Sequence, residues 1–380
     1  MRKILCVFLV CISISSCLFC LNISAQYQGE INAKSAILME ASSGQILYEK
    51  NAQQPLPPAS VTKIMTLLLV MEAIDDGKIK IDDMVTVSEH ASSMGGSQIF
   101  LKVGEQMSVN DMIKSVVVSS ANDAAVALAE HIAGSEDAFV NMMNDRAKAL
   151  GMNTANFENT NGLDDTSENH VCSALDIAIM SRELLKHEKI LDYTTIWQDT
   201  IRDGAFTLSN TNRLIRFYNG ANGLKTGSTS KAKFCISATA KRDDMQLICV
   251  IMGSPTRDIR NNEAKKLLDW GFANYGVYTY NAENIDSKEV VGGKGERLNI
   301  SSEKFSCVIE KGSINKIESK IEVEEKYQAP VRIGDKIGEV TFWIGENQIG
   351  QVNLIAQNTI EKITYKEVII RIIRSFSSII

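Results

Sequence analysis

The chain has 380 residues and a formal net charge of −6, with 44% hydrophobic and 23% charged residues, and its mean hydropathy is −0.05. This length suits about two domains, which can bury sizeable cores without covalent cross-links. The ordinary hydrophobic share excludes disordered, collagen-like and multi-span membrane proteins. A pI near 5.5 argues against nucleic-acid binding through a basic surface.

Residues 1–25 have the pattern of an export signal. Two basic residues at positions 2 and 3 precede an uncharged apolar run over 4–21, and small residues follow up to Ala25. We expect cleavage near Ala25 and an exported mature chain. A retained membrane helix is disfavoured by the short, serine-interrupted run. Lipoprotein processing at Cys17, which ends a lipobox-like stretch, is a weaker alternative.

Residues 26–278 predict an α+β domain. A hairpin is expected over 35–40 and 45–49, and a strand pair over 234–240 and 245–252. Strands at both ends with helices between them are typical of this class. The predicted helices cover 61–74, 112–131, 137–150, 174–187 and 261–272.

The first chemical motif is Ser60-Val61-Thr62-Lys63, which lies where a proline-rich segment gives way to a long apolar helix. Residues i and i+3 of a helix share a face, so the amine of Lys63 can reach the hydroxyl of Ser60. A helix N-terminus also supplies free N–H groups where an oxyanion would form. The pattern indicates a nucleophilic serine with a lysine base, although a helix-capping serine beside a solvated lysine would look the same.

Two further motifs follow at Ser120-Ala121-Asn122 and Lys225-Thr226-Gly227. In the first, the hydroxyl of Ser120 could relay a proton and the carboxamide of Asn122 could hold a substrate amide. Alternatively, it is a polar break between helices. In the second, Lys225 and Thr226 on a strand could bind a carboxylate, and Gly227 would let the backbone approach a ligand. The alternative there is an ordinary passage from the turn 219–223 into a strand.

Four cysteines remain after the signal: Cys172, Cys235, Cys249 and Cys307. They form no C-x-x-C pair and have no histidine cluster beside them, so we predict no metal site. Buried cysteines acting as small hydrophobic residues are the favoured interpretation. Cys235 and Cys249 lie on the two adjacent strand-like runs, which leaves a cross-strand disulfide as a hypothesis.

Residues 279–380 predict two further units. Short alternating strands over 311–323, 331–337, 339–344 and 348–354 predict a small all-β domain at 279–358. Residues 359–380 predict an amphipathic helix with an apolar arc opposite a polar side, and this segment holds four basic and two acidic residues. A basic amphipathic helix on an acidic protein suits attachment to an anionic membrane surface, although a helix docked on the core would also be amphipathic.

The three motifs occur in order, and this triple is known from penicillin-binding proteins and class A β-lactamases. The chain resembles a low-molecular-mass penicillin-binding protein, a serine-type D-alanyl-D-alanine carboxypeptidase. Asn161-Gly162-Leu163-Asp164 and the stretches 170–184, 265–272 and 329–338 add to this similarity. The resemblance implies an antiparallel sheet with flanking helices and a helical subdomain, and no cofactor.

The resemblance also implies residue roles. Ser60 would attack the bond between the two terminal D-alanines of a peptidoglycan stem peptide, and neutral Lys63 would take its proton. Ser120 would relay that proton to the leaving D-alanine. The substrate would be held by Asn122, Lys225, Thr226, Gly227 and Ser228, with Arg260 as an electrostatic helper. Penicillins would acylate Ser60 as substrate mimics, at the outer face of the bacterial cytoplasmic membrane.

Two alternatives remain open at this point. A class A β-lactamase shares the triple but needs a glutamate-activated water, and no E-x-x-L-N-like segment lies between 120 and 225. A non-catalytic penicillin-binding or wall-binding module is disfavoured because the motif residues are intact.

Overall fold

The structure is a computed structural model that describes residues 27–164, 167–280, 285–294 and 297–377. The predicted export signal, Cys17 and the last three residues of the predicted tail helix lie outside the described residues. The strands are β1 (Ser35–Glu40), β2 (Ile46–Lys50), β3 (Met84–Thr86), β4 (Gln106–Ser108), β5 (Gln198–Ile201), β6 (Phe206–Ser209), β7 (Ala221–Thr229), β8 (Lys233–Arg242), β9 (Met245–Ser254), β10 (Tyr275–Tyr280), β11 (Ile285–Val291), β12 (Leu298–Ser302), β13 (Phe305–Glu310), β14 (Ile317–Val323), β15 (Lys326–Gln328), β16 (Lys336–Ile344) and β17 (Asn347–Ala356). The helices are α1 (Lys63–Asp75), α2 (Glu89–Ser92), α3 (Val109–Val118), α4 (Asn122–Ala133), α5 (Glu136–Ala149), α6 (Ala174–Leu184), α7 (Leu191–Thr194), α8 (Leu214–Phe217), α9 (Arg257–Asn274), α10 (Lys311–Ile314) and α11 (Tyr365–Ser377), with short 3₁₀ turns at Ala59–Thr62 and Glu188–Ile190.

A five-stranded antiparallel sheet of order β2-β1-β9-β8-β7 forms the centre of the first part of the chain. Both faces of this sheet are covered, which is why every residue of β1 is buried. Ile37 and Met39 face the core shared with α1, α4 and α6, whereas Ala36 and Leu38 face α9. Successive strand residues point to opposite faces, so β1 contributes to two hydrophobic cores at once. The predicted α+β class is confirmed.

The predicted cross-strand disulfide between Cys235 and Cys249 is wrong. Both side chains are buried and both thiols are free. Cys235 belongs to the core on the helical face of the sheet and Cys249 to the core beneath α9. Cys249 is paired with Ala238, and Cys235, three residues from Ala238 on β8, points to the other face because successive strand residues alternate. The two sulfurs therefore lie on opposite sides of the sheet.

Most predicted elements are present with shifted ends, and a few are wrong. The hairpin, the long apolar helix and the strand pair 234–240 with 245–252 are confirmed. The predicted helix 112–131 is two helices, α3 and α4, separated by Ser119–Ala121. The predicted turn 219–223 instead runs into β7 from Ala221.

The second part of the chain is a β structure with its own core. A six-stranded sheet has the order β14-β16-β17-β12-β11-β15, and β10 pairs with β13. Its core includes Phe342, whose ring stacks on that of Phe305 with centroids 4.0 Å apart. The predicted strands over 311–323 and 331–337 are only partly right. The first begins with the short helix α10, and the second is mostly loop before β16.

Helix α11 follows the β structure. Its start is held by a hydrogen bond from Ile363 N–H to the carbonyl of Gly292 and by an ion pair, 3.4 Å long, between Lys294 and Glu367. Ile369 and Ile370 are exposed. Within the described residues, no helix has both the length and the apolar run that a membrane crossing needs.

Candidate active site

The turn that carries Ser60 is shaped by the prolines before it. Pro57 and Pro58 lack N–H groups, so no helix can be hydrogen-bonded through them. Leu56 is fixed beside Cys172 by two reciprocal backbone hydrogen bonds of 3.0 Å. The chain then enters a 3₁₀ turn over Ala59–Thr62, with Ala59 at φ +50°. Ser60 is thus placed at the mouth of a cleft on a short, constrained segment.

Lys63 is the first residue of α1 and is fully buried. Its Nζ lies 2.9 Å from Ser60 Oγ, 2.6 Å from Asn122 Oδ1 and 2.7 Å from the carbonyl oxygen of Asn161. A charged amine donates to all three. A neutral amine donates to Asn122 Oδ1 and to the carbonyl of Asn161, which can only accept. Its lone pair then faces the hydroxyl of Ser60.

Burial holds the pKa of Lys63 well below its usual range. The nearby charge of Lys225 lowers this pKa further, whereas Asp123 raises it. Removing the amine from water disfavours its charged form, and a like charge acts in the same direction. Lys63 therefore has the geometry and the protonation behaviour of a general base for Ser60.

Ser120 lies in the short connection between α3 and α4. Its backbone has φ +63°, and its side chain lies among the residues that line the cleft. A non-glycine residue in this conformation costs on the order of 1–3 kcal/mol and is typical of functional sites. Asn122 begins α4, and its Nδ2 donates to the carbonyl of Gly95 over 2.7 Å. That bond orients the carboxamide so that its oxygen faces Lys63.

A segment around Asn161 completes the surroundings of Lys63. The carboxylate of Glu136 accepts hydrogen bonds from Thr160 N and Oγ1, at 2.9 and 2.7 Å. Gly162 has φ +82°, and a Cβ there would lie 1.9 Å from the carbonyl oxygen of Ala59. Only glycine therefore lets this segment wrap the nucleophile turn. Asn161 and Glu136 are not among the predicted site residues, and the Asn-Gly pair at 161–162 is the sequence signal that points to this segment.

His170 links the same segment to the nucleophile turn. Its Nδ1 accepts from Glu158 N–H over 3.1 Å, so its Nε2 donates to Thr62 Oγ1 over 2.8 Å. Burial, with a smaller contribution from Lys63, lowers the pKa of His170 to about 4. The imidazole is therefore neutral near pH 7 and acts as a structural link.

Strand β7 forms the opposite wall of the cleft and carries the third motif. Lys225 is buried and donates to the carbonyl of Thr226 over 3.0 Å. Burial, together with the charge of Arg260, lowers the pKa of Lys225 to about 7. The hydroxyl of Thr226 donates to Thr211 Oγ1 over 2.8 Å. A Cβ at Gly227 would lie 2.8 Å from Ser60 N, so β7 passes directly beside the nucleophile.

Arg260 projects from the first turns of α9 to the far side of the cleft. Its guanidinium donates to Asn261 Oδ1 and to the carbonyl of Cys235 on β8. Burial lowers its pKa to about 10, which leaves it charged near neutrality.

The cleft between these elements has a volume of about 400 Å³. The predicted residues that line it are Ser60, Ser120, Thr226, Gly227, Ser228 and Arg260. Lys63 and Asn122 lie behind Ser60, and Lys225 lies under Thr226. The structure thus brings the predicted site residues together around one opening.

Two family models match the chain. The D-alanyl-D-alanine carboxypeptidase model matches residues 22–256, and the model of the C-terminal domain of penicillin-binding protein 5 matches residues 277–362. The chain belongs to the D-alanyl-D-alanine carboxypeptidase family.

Individual relatives agree with this membership. The chain is 45% identical over 317 residues to D-alanyl-D-alanine carboxypeptidase DacF of Bacillus subtilis, covering 82% of this chain and 81% of the relative. It is 35% identical over 343 residues to DacC of Escherichia coli, covering 87% and 85%. The solved penicillin-binding protein 5 of Haemophilus influenzae aligns with a TM-score of 0.75 and 33% identity, over 89% of this chain and 100% of that one. The predicted family and the predicted fold are confirmed.

Proposed function

We propose that the chain is a serine D-alanyl-D-alanine carboxypeptidase that removes the terminal D-alanine of peptidoglycan stem pentapeptides through an acyl-enzyme on Ser60. The observation that carries this proposal is the 2.9 Å contact between Ser60 Oγ and the buried amine of Lys63. A serine hydroxyl becomes a useful nucleophile when a neighbouring base accepts its proton. Family membership supports the assignment of the substrate.

Acylation proceeds in two proton steps. Ser60 Oγ attacks the carbonyl carbon of the D-Ala-D-Ala bond while Lys63 accepts the hydroxyl proton. The backbone N–H groups of Ser60 and Ser228 hold the oxyanion, and the close passage of β7 beside Ser60 supports this pairing. As the C–N bond breaks, Lys63 returns the proton through Ser120 to the departing nitrogen. Free D-alanine leaves, and Ser60 carries an ester.

Binding residues hold the substrate in line for this attack. Asn122 holds the backbone of the stem peptide, and Lys225 with Thr226 holds its C-terminal carboxylate. Arg260 adds positive potential at the same end of the cleft. Water then attacks the ester, its proton passes to Lys63, and the C–O bond breaks to restore the hydroxyl of Ser60.

Penicillins act on the same residues as covalent inhibitors. Opening of the β-lactam ring by Ser60 leaves an ester whose amine stays tethered, so the leaving group does not depart. A structural relative, penicillin-binding protein D2 of Listeria monocytogenes, has been solved in an ampicillin-bound form, with 31% identity and a TM-score of 0.59 over 64% of this chain.

The alternative of a β-lactamase predicts fast hydrolysis of that ester. Among the described residues that line the cleft, none carries a carboxylate that could activate a deacylating water. This favours the carboxypeptidase.

To test the proposal, the protein is incubated with a stem pentapeptide and, separately, with penicillin. The release of D-alanine and the turnover of penicillin are measured. D-alanine release with stoichiometric penicillin consumption is expected. Rapid catalytic turnover of penicillin would support the β-lactamase, and no reaction with either would support a non-catalytic module.

Export and membrane attachment complete the proposal. We propose that residues 1–25 direct export, that 26–278 form the catalytic domain, and that 279–358 form the β domain. Residues 359–380 would lie on the outer face of the bacterial cytoplasmic membrane as a peripheral anchor. The basic, isoleucine-rich composition of this segment supports that attachment.

A further inference from the structure

The cleft contains more positive charge than the proposed reaction uses. Arg213 and Arg257 line it together with Arg260. Both side chains are exposed, and for the part of the chain that the structure describes no hydrogen bond or ion pair of either guanidinium is found. We call these two residues the outer arginine pair.

Several other arginines of the described chain have partners. Arg146 pairs with Glu72, Arg202 with Glu105 and Arg242 with Asp269. Arg216, three residues after Arg213, lies over the rings of Trp197 and Phe217. The outer arginine pair therefore differs in facing an open cleft instead of a carboxylate or an aromatic ring.

No acidic side chain balances this charge within the cleft. The described residues that line the cleft include no Asp or Glu. Asp258, the acid next to Arg257, lines a neighbouring depression that Arg213 also borders, and its charge acts on Arg260 as well. Arg257 is close enough to Arg260 for its charge to act on that side chain. A cleft lined by one sign of charge focuses the field and raises the local concentration of oppositely charged substrates.

We propose that the outer arginine pair is an outer anion subsite, which captures the C-terminal carboxylate of the substrate before Lys225 and Thr226 bind it. This inference rests on the proposed carboxypeptidase function. Planar guanidinium groups suit carboxylates because they donate two parallel hydrogen bonds. The subsite accelerates binding and selects anionic substrates, and it takes no part in the proton transfers at Ser60.

The test compares Arg213→Gln, Arg257→Gln and the double variant with Arg216→Gln as the matched control. The kcat and KM for a stem pentapeptide are measured at low and at high ionic strength. We expect the double variant to lose about 10-fold in kcat/KM at low ionic strength, with kcat within about twofold of wild type. Salt screens such steering, so the loss should shrink at high ionic strength. Arg216→Gln should retain the wild-type salt dependence.

A second measurement separates this inference from the proposed function. Acylation rates are compared for a penicillin with its free carboxylate and for its neutral ester. We expect the double variant to slow only the anionic compound. Equal slowing of both compounds in the double variant, or an unchanged salt dependence with the pentapeptide, would overturn the outer anion subsite. Acylation of the protein by penicillin would still support the carboxypeptidase assignment. Absence of any acylation in the wild type would overturn both.

Discussion

Lys63 and Lys225 place two amines in one buried region, and burial is the main cause of the low pKa of each. The two have opposite requirements in the proposed reaction. Lys63 must be neutral to accept a proton from Ser60, whereas Lys225 must be charged to attract a carboxylate. Activity therefore requires a pH at which Lys63 has lost its proton and Lys225 still holds its own.

This arrangement predicts a bell-shaped dependence of kcat/KM on pH. The rate rises as Lys63 loses its proton and falls as Lys225 loses its proton, near pH 7 in the free protein. A bound carboxylate favours the charged form of Lys225, so the alkaline limb of kcat should lie at higher pH than that of kcat/KM. Steady-state kinetics across pH would measure both limbs.

Lys225→Arg is the matched variant for this profile. A guanidinium stays charged throughout the range, so the alkaline limb should disappear although the activity is lower. An alkaline limb that persists unchanged in Lys225→Arg would show that Lys225 does not cause it.

At the residue level, the sequence predicts side-chain chemistry better than backbone chemistry. Ser60 and Lys63 could be placed together because their spacing of three residues on a helix implies contact, whereas Asn122 was joined to them only by the resemblance to a known family. The backbone carbonyl of Asn161 also accepts a hydrogen bond from Lys63. This contact could not be predicted, because every residue has a backbone carbonyl and the sequence does not mark this one. The disulfide prediction failed because the register of the hairpin pairs Cys249 with Ala238, whose side chain points to the face opposite Cys235.

At the scale of elements, α5 holds the segment that surrounds Lys63. Glu136 in its first turn fixes Thr160, and the next residue supplies the carbonyl that bonds Lys63. We expect Glu136→Ala to lower kcat about 10- to 100-fold, because small displacements at a catalytic site are costly. Without Glu136, the carbonyl of Asn161 is no longer held in place to accept a hydrogen bond from the ammonium form of Lys63. The pKa of Lys63 should therefore fall, which moves the acid limb of the kcat/KM profile to lower pH.

The control for this variant is Glu130→Ala. Glu130 lies in the last turn of α4 and accepts a hydrogen bond from Ser88 Oγ over 2.6 Å. This contact also joins a helix carboxylate to a hydroxyl, but it does not involve the segment around Lys63. The control variant should leave the acid limb where it is in the wild type. A purely structural role for Glu136 would reduce activity in proportion to folded protein, with no change in the pH profile.

Elements with strong periodicity could be predicted, and breaks inside apolar runs could not. The run 112–131 is apolar on both sides of Ser120, so its pattern gave one helix where the structure has two. The break depends on the positive φ of Ser120, which hydrophobic periodicity does not report. The β structure was predicted as a class, but α10 and the loop before β16 were not.

At the scale of the whole molecule, the chain joins an acidic body to a basic terminal helix. We expect full-length mature protein to co-sediment with anionic vesicles through residues 359–380, because the helix combines apolar burial with attraction to the lipid charge. A chain ending at 364, which lacks α11 but keeps Ile360 in the β core, should stay in the supernatant and release D-alanine at the wild-type rate.

Ile369→Asp is the matched variant for this experiment, since it keeps the length of the tail and places a charge on its apolar arc. It should bind anionic vesicles more weakly than wild type. Unchanged sedimentation of the truncated chain would contradict the membrane assignment and leave the peptidase assignment intact.

The central claim is that Ser60, activated by Lys63, forms the acyl-enzyme. Intact-protein mass spectrometry after incubation with penicillin, followed by peptide mapping, tests it directly. We expect one penicilloyl adduct per chain, located on Ser60, and no adduct in Ser60→Ala. An adduct that persists in Ser60→Ala, or that maps to another residue in the wild type, would contradict it.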